Sequence, residues 1–331
     1  MNYSEKVRSS KLNFGIIGVG HIAQIGYISS LKRLKDKANL YALCDLDEAK
    51  LYKAKEIHNA DVIYTDFEDL LSDENVDAVI ITTPNHLHYP MSLASLTFGK
   101  HTLCELPVAL KIEEAIQLKE KIFSSERIYI PAMNYSMRPD ILKIKEIVFD
   151  KKTLGDVIHA KFIRRKKRYG FSEPEWMKNP NYAGSIFYST LVHIFEIYYT
   201  YFKRKPLSIL KVFSRLKETG IEWEGTMYFT VNNKTGVLIE TLWDPFIESD
   251  KFQVEIYCEE GNAYLSPFRI VQKHFGQLID ITPRITEEKS FFRISFDLLL
   301  EHFINCIENK EKPKFTIDDG IQILEIIDKI K

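Results

Sequence analysis

The chain has 331 residues, room for about two domains of roughly 150 residues with sizeable cores, which excludes a disulfide-stapled miniprotein. Hydrophobic residues at 45%, charged residues at 27% and aromatics at 12% exclude a disordered chain. With 45 Lys and Arg against 46 Asp and Glu, the formal net charge of -1 offers no general attraction to nucleic acid or an anionic membrane, so neither is expected as a partner.

Met1 to Lys11 are polar with no apolar h-region, and no stretch approaches the roughly 18 uncharged apolar residues of a membrane span, so a cytoplasmic location is expected. From Leu12 to about Ala132, short apolar runs alternate with helical patterns. Strands are predicted over Leu12–Ile17, Leu40–Cys44, Val62–Tyr64, Ala78–Thr82, His101–Cys104 and Ile128–Ala132. Helix-length crossovers between buried strands imply parallel pairing, hence a doubly wound Rossmann sheet with helices on both faces.

Gly18-Val19-Gly20-His21-Ile22-Ala23 follows the first strand and opens the first helix, as G-x-G-x-x-A requires. Gly18 permits the tight turn and Gly20 lets a pyrophosphate approach the backbone. The small Ala23 allows close helix–strand packing, and the helix N–H groups face the phosphates. Asp45 ends the second strand 22 residues after Ala23, where its carboxylate can accept hydrogen bonds from a ribose. It also repels a 2′-phosphate, and Leu46, Asp47 and Glu48 supply no Arg to offset this, so NAD is expected over NADP.

Beyond a helix starting near Arg138 and Pro139, alternation takes over. Thr226–Val231 and Val237–Trp243 form a hairpin around the polar turn at 232–236, and Phe252, Val254, Ile256 and Cys258 alternate with polar neighbours. This predicts an α+β part with a large, mostly antiparallel sheet. Ser185–Phe202 and Phe291–Ile307 read as helices packed on that sheet, and Asp318–Ile330 as a closing amphipathic helix. The expected division is residues 1–132 and 133–331, meeting at a cleft without a Gly/Ser linker. Arg164-Arg165-Lys166-Lys167-Arg168 reads as a solvated strand edge, with a pocket for a carboxylate or phosphate as the other reading. Cys44, Cys104, Cys258 and Cys306 show no CxxC spacing and read as buried hydrophobes in a reducing compartment. His86 and His88 open a helix with no third ligand, so no metal is expected.

Four landmarks make the sequence resemble the Gfo/Idh/MocA family of nicotinamide-dependent oxidoreductases over nearly its whole length. They are Gly18 to Ala23; Thr83-Pro84-Asn85-His86-Leu87-His88; Glu105-Leu106-Pro107; and Ala183-Gly184-Ser185 followed by His193. The resemblance implies dinucleotide contacts from Gly18, Gly20, His21, Ile22, Asp45, Thr83, Pro84, Asn85, His88, Glu105, Leu106, Pro107 and Asn134. It further implies a sugar-like carbonyl or hydroxyl substrate in the interdomain cleft, and a homodimer or homotetramer paired through the second sheet.

Three positions depart from the family pattern. Glu-Lys-Pro is Glu105-Leu106-Pro107, the Asp four residues before the His is Ser189, and the Arg of N-x-R-F-x-P is Ser136. Related biliverdin reductases also lack that Lys and still transfer hydride. The proton-handling candidates are then His193, with Glu196 beside it, and Tyr135 or Tyr188. The other reading is an NAD-binding sensor or partner subunit without dehydrogenase activity.

Overall fold

The computed structural model describes residues 11–331 except 168–175, 177–178, 184, 216–221, 245–247, 249 and 285–289. Of the residues singled out above, Arg168 and Gly184 therefore lie outside the described residues.

Six short strands form the first sheet: β1 (Leu12–Ile17), β2 (Ala38–Cys44), β3 (Val62–Tyr64), β4 (Ala78–Ile81), β5 (His101–Cys104) and β6 (Tyr129–Pro131). Their order is β3-β2-β1-β4-β5-β6, every pair parallel. β4 is buried along its whole length, as expected of a central strand with both faces covered by helices. Strand order reverses between β1 and β4, so a crevice opens at their carboxyl ends, beside Gly18 and Thr82.

The second sheet is built from β7 (Val157–Lys167), β8 (Leu207–Arg215), β9 (Glu222–Val231), β10 (Thr235–Asp244), β11 (Lys251–Cys258), β12 (Gly261–Leu265), β13 (Phe268–His274) and β14 (Gln277–Asp280), in the order β14-β13-β12-β11-β7-β10-β9-β8. All its pairs are antiparallel except β7 with β10. Alternation sorts the faces. Phe162, Met227, Phe229, Ile239 and Val254 are buried on one side, while Leu210 and Val212 are 70% and 72% exposed on the other. The buried side is covered by the helix Val192–Phe202, where Tyr198 meets Phe229 edge-on at 5.2 Å. This helix is entered through a π-helical turn, Phe187–Leu191, that the apolar run alone did not reveal.

Two expectations are corrected here. The helix Phe291–Ile307 does not lie on the second sheet. Phe303 packs on Phe14 of β1 at 6.0 Å and Phe296 on Tyr27 at 5.0 Å, while Asp297 takes Arg33 at 2.6 Å. An apolar stripe needs an apolar partner but does not specify which sheet provides it. Nor is the basic run a solvated edge. β7 sits between β11 and β10, and Arg164 is only 8% exposed. The last helix, Ile317–Ile330, starts with a capping box from Thr316 and Asp319 and is tied to the helix Ile112–Ser125 by Lys119 and Asp318 at 2.6 Å. No described helix is long and apolar enough to cross a membrane.

Candidate active site

The glycine turn leaving β1 has a different constraint at each glycine. Gly18 stands at φ +92°, and a Cβ there would lie 2.9 Å from the Thr82 backbone. At Gly20 a Cβ would meet nothing within 4 Å, so this stretch of backbone borders open space into which a pyrophosphate can come. Ala23 is fully buried. Asp45 holds the turn from the next strand: one carboxylate oxygen accepts from Val19 N–H at 2.7 Å and meets Lys50 at 2.6 Å, and the other accepts from Asp47 N–H at 3.1 Å. Gly18, Gly20 and Asp45 thus bring a tight turn, open backbone and a carboxylate together at the ends of β1 and β2. His21 is exposed and Ile22 half-buried at that helix start.

On the other bank of the crevice, His88 is 1% exposed and its ring spans two loops. Nδ1 lies 2.7 Å from Pro107 O and Nε2 2.8 Å from Thr83 O. It therefore fixes the Thr83-Pro84-Asn85 loop against the Glu105-Leu106-Pro107 turn, in which the Leu106–Pro107 peptide is cis. Asn85 and Asn134 are both buried. His86 stacks on Tyr182 at 4.3 Å. Glu105 accepts from the Tyr27 hydroxyl at 2.6 Å and from Leu106 N–H at 3.3 Å, and burial pushes its carboxyl up to about 7. Leu106 is 5% exposed and brings no polar atom from its side chain.

The third group of residues is assembled from five segments. Tyr135 follows β6 on a short 3-10 turn, and its ring centroid lies 5.0 Å from His193. His193 Nδ1 stands 3.4 Å from Oε2 of Glu196, whose other oxygen accepts from Ser136 N–H at 2.8 Å. Arg164 of β7 donates to the Tyr135 hydroxyl at 2.8 Å. Phe252 and Phe292 close on the Tyr135 ring at 5.5 and 5.6 Å. Burial, then the charges of Arg164 and Lys166, hold His193 well below the usual histidine range. Burial likewise raises Glu196 to about 8, helped by the charge of Glu105. At neutral pH the pair is thus an uncharged imidazole beside a carboxylic acid, and Glu105 and Glu196 are near enough to feel each other.

A family model described as an oxidoreductase family with an NAD-binding Rossmann fold matches residues 12–132. The inositol 2-dehydrogenase/D-chiro-inositol 3-dehydrogenase of Lactiplantibacillus plantarum is 24% identical over 309 residues, covering 90% of this chain and 84% of that protein. Residues 12–132 thus match the nucleotide-binding part of the Gfo/Idh/MocA oxidoreductases. Among solved structures, levoglucosan dehydrogenase in complex with NADH and levoglucosan superposes with a TM-score of 0.87 at 16% identity, covering 97% of this chain and 96% of that one. A myo-inositol 2-dehydrogenase from Lactobacillus plantarum gives 0.82 at 20% identity, covering 96% and 95%. At these identities the likeness is one of fold.

The Gfo/Idh/MocA frame gives the three departures their places. Leu106 is buried beside Glu105. Ser136 is wholly buried, and its hydroxyl meets Thr200 at 2.7 Å rather than facing outward as an Arg would require. The Ser189 hydroxyl turns back on Ser185 O at 3.1 Å. Of the three proton-handling candidates the structure brings Tyr135 and His193 together. Tyr188 is committed elsewhere: its hydroxyl donates to Leu110 O at 2.8 Å and receives the Lys331 ammonium. The sequence reading missed Tyr27, Phe252 and Phe292. Each is an apolar position in its own element, and no local pattern distinguishes it from core.

Proposed function

We propose that this chain is an NAD-dependent dehydrogenase that interconverts a hydroxyl and a carbonyl on a small sugar-like substrate, with His193 moving the proton. The observation that supports it most is the Tyr135–His193–Glu196 group, in which Tyr135 and Glu196 are buried and the His193 side chain stays 18% exposed, a proton-handling pair where Leu106 offers none. NAD would be held at Gly18, Gly20 and Asp45 and would supply the C4 position that takes or gives the hydride. As the substrate C–H bond breaks, the hydroxyl proton passes to His193 and the carbonyl forms; the reverse direction returns both. Glu196 serves His193 from behind: as an acid it can donate to Nδ1 while Nε2–H is presented to the substrate, and Ser136 N–H holds the carboxyl in place. The Tyr135 hydroxyl, accepting from Arg164, keeps its own proton free for a substrate oxygen. Asp45 favours NAD over NADP through its charge.

The domain division at residue 132, a cytoplasmic setting and pairing of two or four copies through the exposed face of the second sheet belong to the same reading. A second reading, NAD binding without turnover, is favoured by Leu106, Ser136 and Ser189 standing where the family has Lys, Arg and Asp. Purified protein incubated with NADH and a panel of keto-sugars and aldehydes separates the two. NADH consumption that is lost in His193→Ala supports the dehydrogenase. Tight NAD binding with activity appearing only in Leu106→Lys overturns it.

A further inference from the structure

A single hydrogen bond to the Tyr135 hydroxyl does not account for the charge that Arg164 carries into the core. Arg164 lies on the inner face of β7, two residues beyond Phe162 and four beyond Ala160, both fully buried, and is itself 8% exposed. Among the described residues no carboxylate pairs with it. The buried acid Asp140 is taken by Arg138 at 2.7 Å, and Glu196 is taken by His193 and Ser136. The guanidinium makes one hydrogen bond, Nη1 to the Tyr135 hydroxyl, and its buried Nε has no partner. The rings of Tyr135 and Phe252 lie 5.2 and 5.3 Å from its central carbon.

A permanently charged side chain withdrawn from water, with no counter-charge among the described residues, is a costly thing to keep in a core. Two aromatic faces recover only part of that cost, and a residue chosen for packing alone would carry no charge. The group that removes the deficit is an anion, and the planar fork of an arginine matches a carboxylate in two parallel hydrogen bonds. Lys166, on the same face of the strand, adds a second positive charge within electrostatic reach of His193. A single ring, that of Tyr135, separates Arg164 from His193.

We infer that the substrate is a sugar acid: its carboxylate pairs with Arg164 while its hydroxyl or carbonyl carbon is presented to His193 on the other side of Tyr135. This deepens the dehydrogenase reading and rests on it for the reacting end, but the anion site stands or falls by binding alone. A phosphate ester is the poorer fit, because a dianion would leave oxygens unmatched by one guanidinium walled by two rings.

The test is equilibrium calorimetry on the intact protein saturated with NAD, using pairs matched except for charge: D-glucuronate against D-glucose, D-gluconate against D-sorbitol, and D-glucose 6-phosphate as the phosphate arm. At least one acid is expected to bind tenfold or more tightly than its neutral partner. Arg164→Gln is expected to erase that preference with NAD affinity unchanged, and Arg164→Lys to keep part of it. If no acid of the panel outbinds its neutral partner, if the preference survives in Arg164→Gln, or if the phosphate alone binds, the inference is overturned. Should Arg164→Gln fail to fold, the wild-type comparison and Arg164→Lys decide. Acid binding without NADH turnover on the corresponding keto-acids would retain the anion site and reject the dehydrogenase, so the two failures remain distinct.

Discussion

Nδ1 of His193 and Oε2 of Glu196 face each other at 3.4 Å, one helical turn apart on the helix Val192–Phe202, with the carboxyl fully buried. A carboxyl raised to about 8 next to an imidazole held low means that the pair stores its proton on Glu196 at neutral pH. Reduction of a carbonyl consumes that proton. NADH-driven reduction by the wild type is therefore expected to fall as pH rises through about 8, where Glu196 ionises. Glu196→Gln should lose kcat by about 10–100-fold and flatten that limb, and His193→Ala should cost about 10²–10⁴-fold, with NAD affinity held in both. A pH–rate profile of the three proteins checks this.

The two glycines of the turn should separate stability from binding. Gly20→Val places its side chain in open space, so the melting temperature should change little while the NAD dissociation constant rises about 100-fold or more by obstructing the pyrophosphate. Gly18→Val forces a branched residue to φ +92° and onto the Thr82 backbone at 2.9 Å, and should destabilise the fold by about 3 kcal/mol or more. Thermal unfolding with and without NAD distinguishes the two.

Glu105 has its folded-state carboxyl raised from 4.5 to about 7 by burial. The folded protein thus holds a proton that the unfolded chain releases between those values. This contribution is fully present below the unfolded value and is lost as pH rises through the folded one. Glu105→Gln keeps the contacts to Tyr27 and Leu106 in kind but does not ionise. Relative to wild type it should gain stability, by about 1–3 kcal/mol, as pH is raised from about 4.5 to 8. Denaturant titrations of both proteins across that range measure the difference, and parallel curves would contradict it.

The first sheet was legible because its strands are short, continuous apolar runs separated by helix-length patterns, and because Gly18, Gly20 and Asp45 fall at the strand ends where the chemistry needs them. His193 and Tyr135, singled out through the family landmarks, lie side by side in the fold. What local pattern could not carry was partner choice. The periodicity of Phe291–Ile307 reports an apolar stripe but not that Phe14 and Tyr27 would receive it. Alternation places Arg164 and Lys166 on one face of β7 without saying that the face is inward, and a run of five basic residues looks solvated until the strand is seen between two others. The second loop contact of His88 is hidden for the same reason, since Pro107 is 19 residues away.

His88 holds two loops with one ring, and a neutral imidazole has a single N–H for its two carbonyl neighbours. Losing both contacts would free the Thr83 loop and the Leu106–Pro107 turn to move apart. His88→Phe should cost about 2–4 kcal/mol in stability and raise KM for NAD more than it lowers kcat. His88→Gln, which can still reach one carbonyl, should fall between. Steady-state kinetics with NAD varied, together with melting temperatures, reads both effects.

The exposed face of the second sheet is where a second copy would sit. Leu210 and Val212 on β8 pair across the ladder with Tyr228 and Thr226 of β9, and the first three are large side chains left 70%, 72% and 41% exposed. An open β face with that much apolar surface fits a self-complementary contact between two copies related by a two-fold axis. Putting charge on both copies at once doubles the penalty at such an interface, because each substituted residue appears on both sides of it. Leu210→Glu combined with Val212→Glu is therefore expected to shift the protein to monomers in size-exclusion chromatography with light scattering, with NAD affinity unchanged because the glycine turn lies on the other sheet. A wild-type protein that is already monomeric at micromolar concentration would contradict the pairing outright.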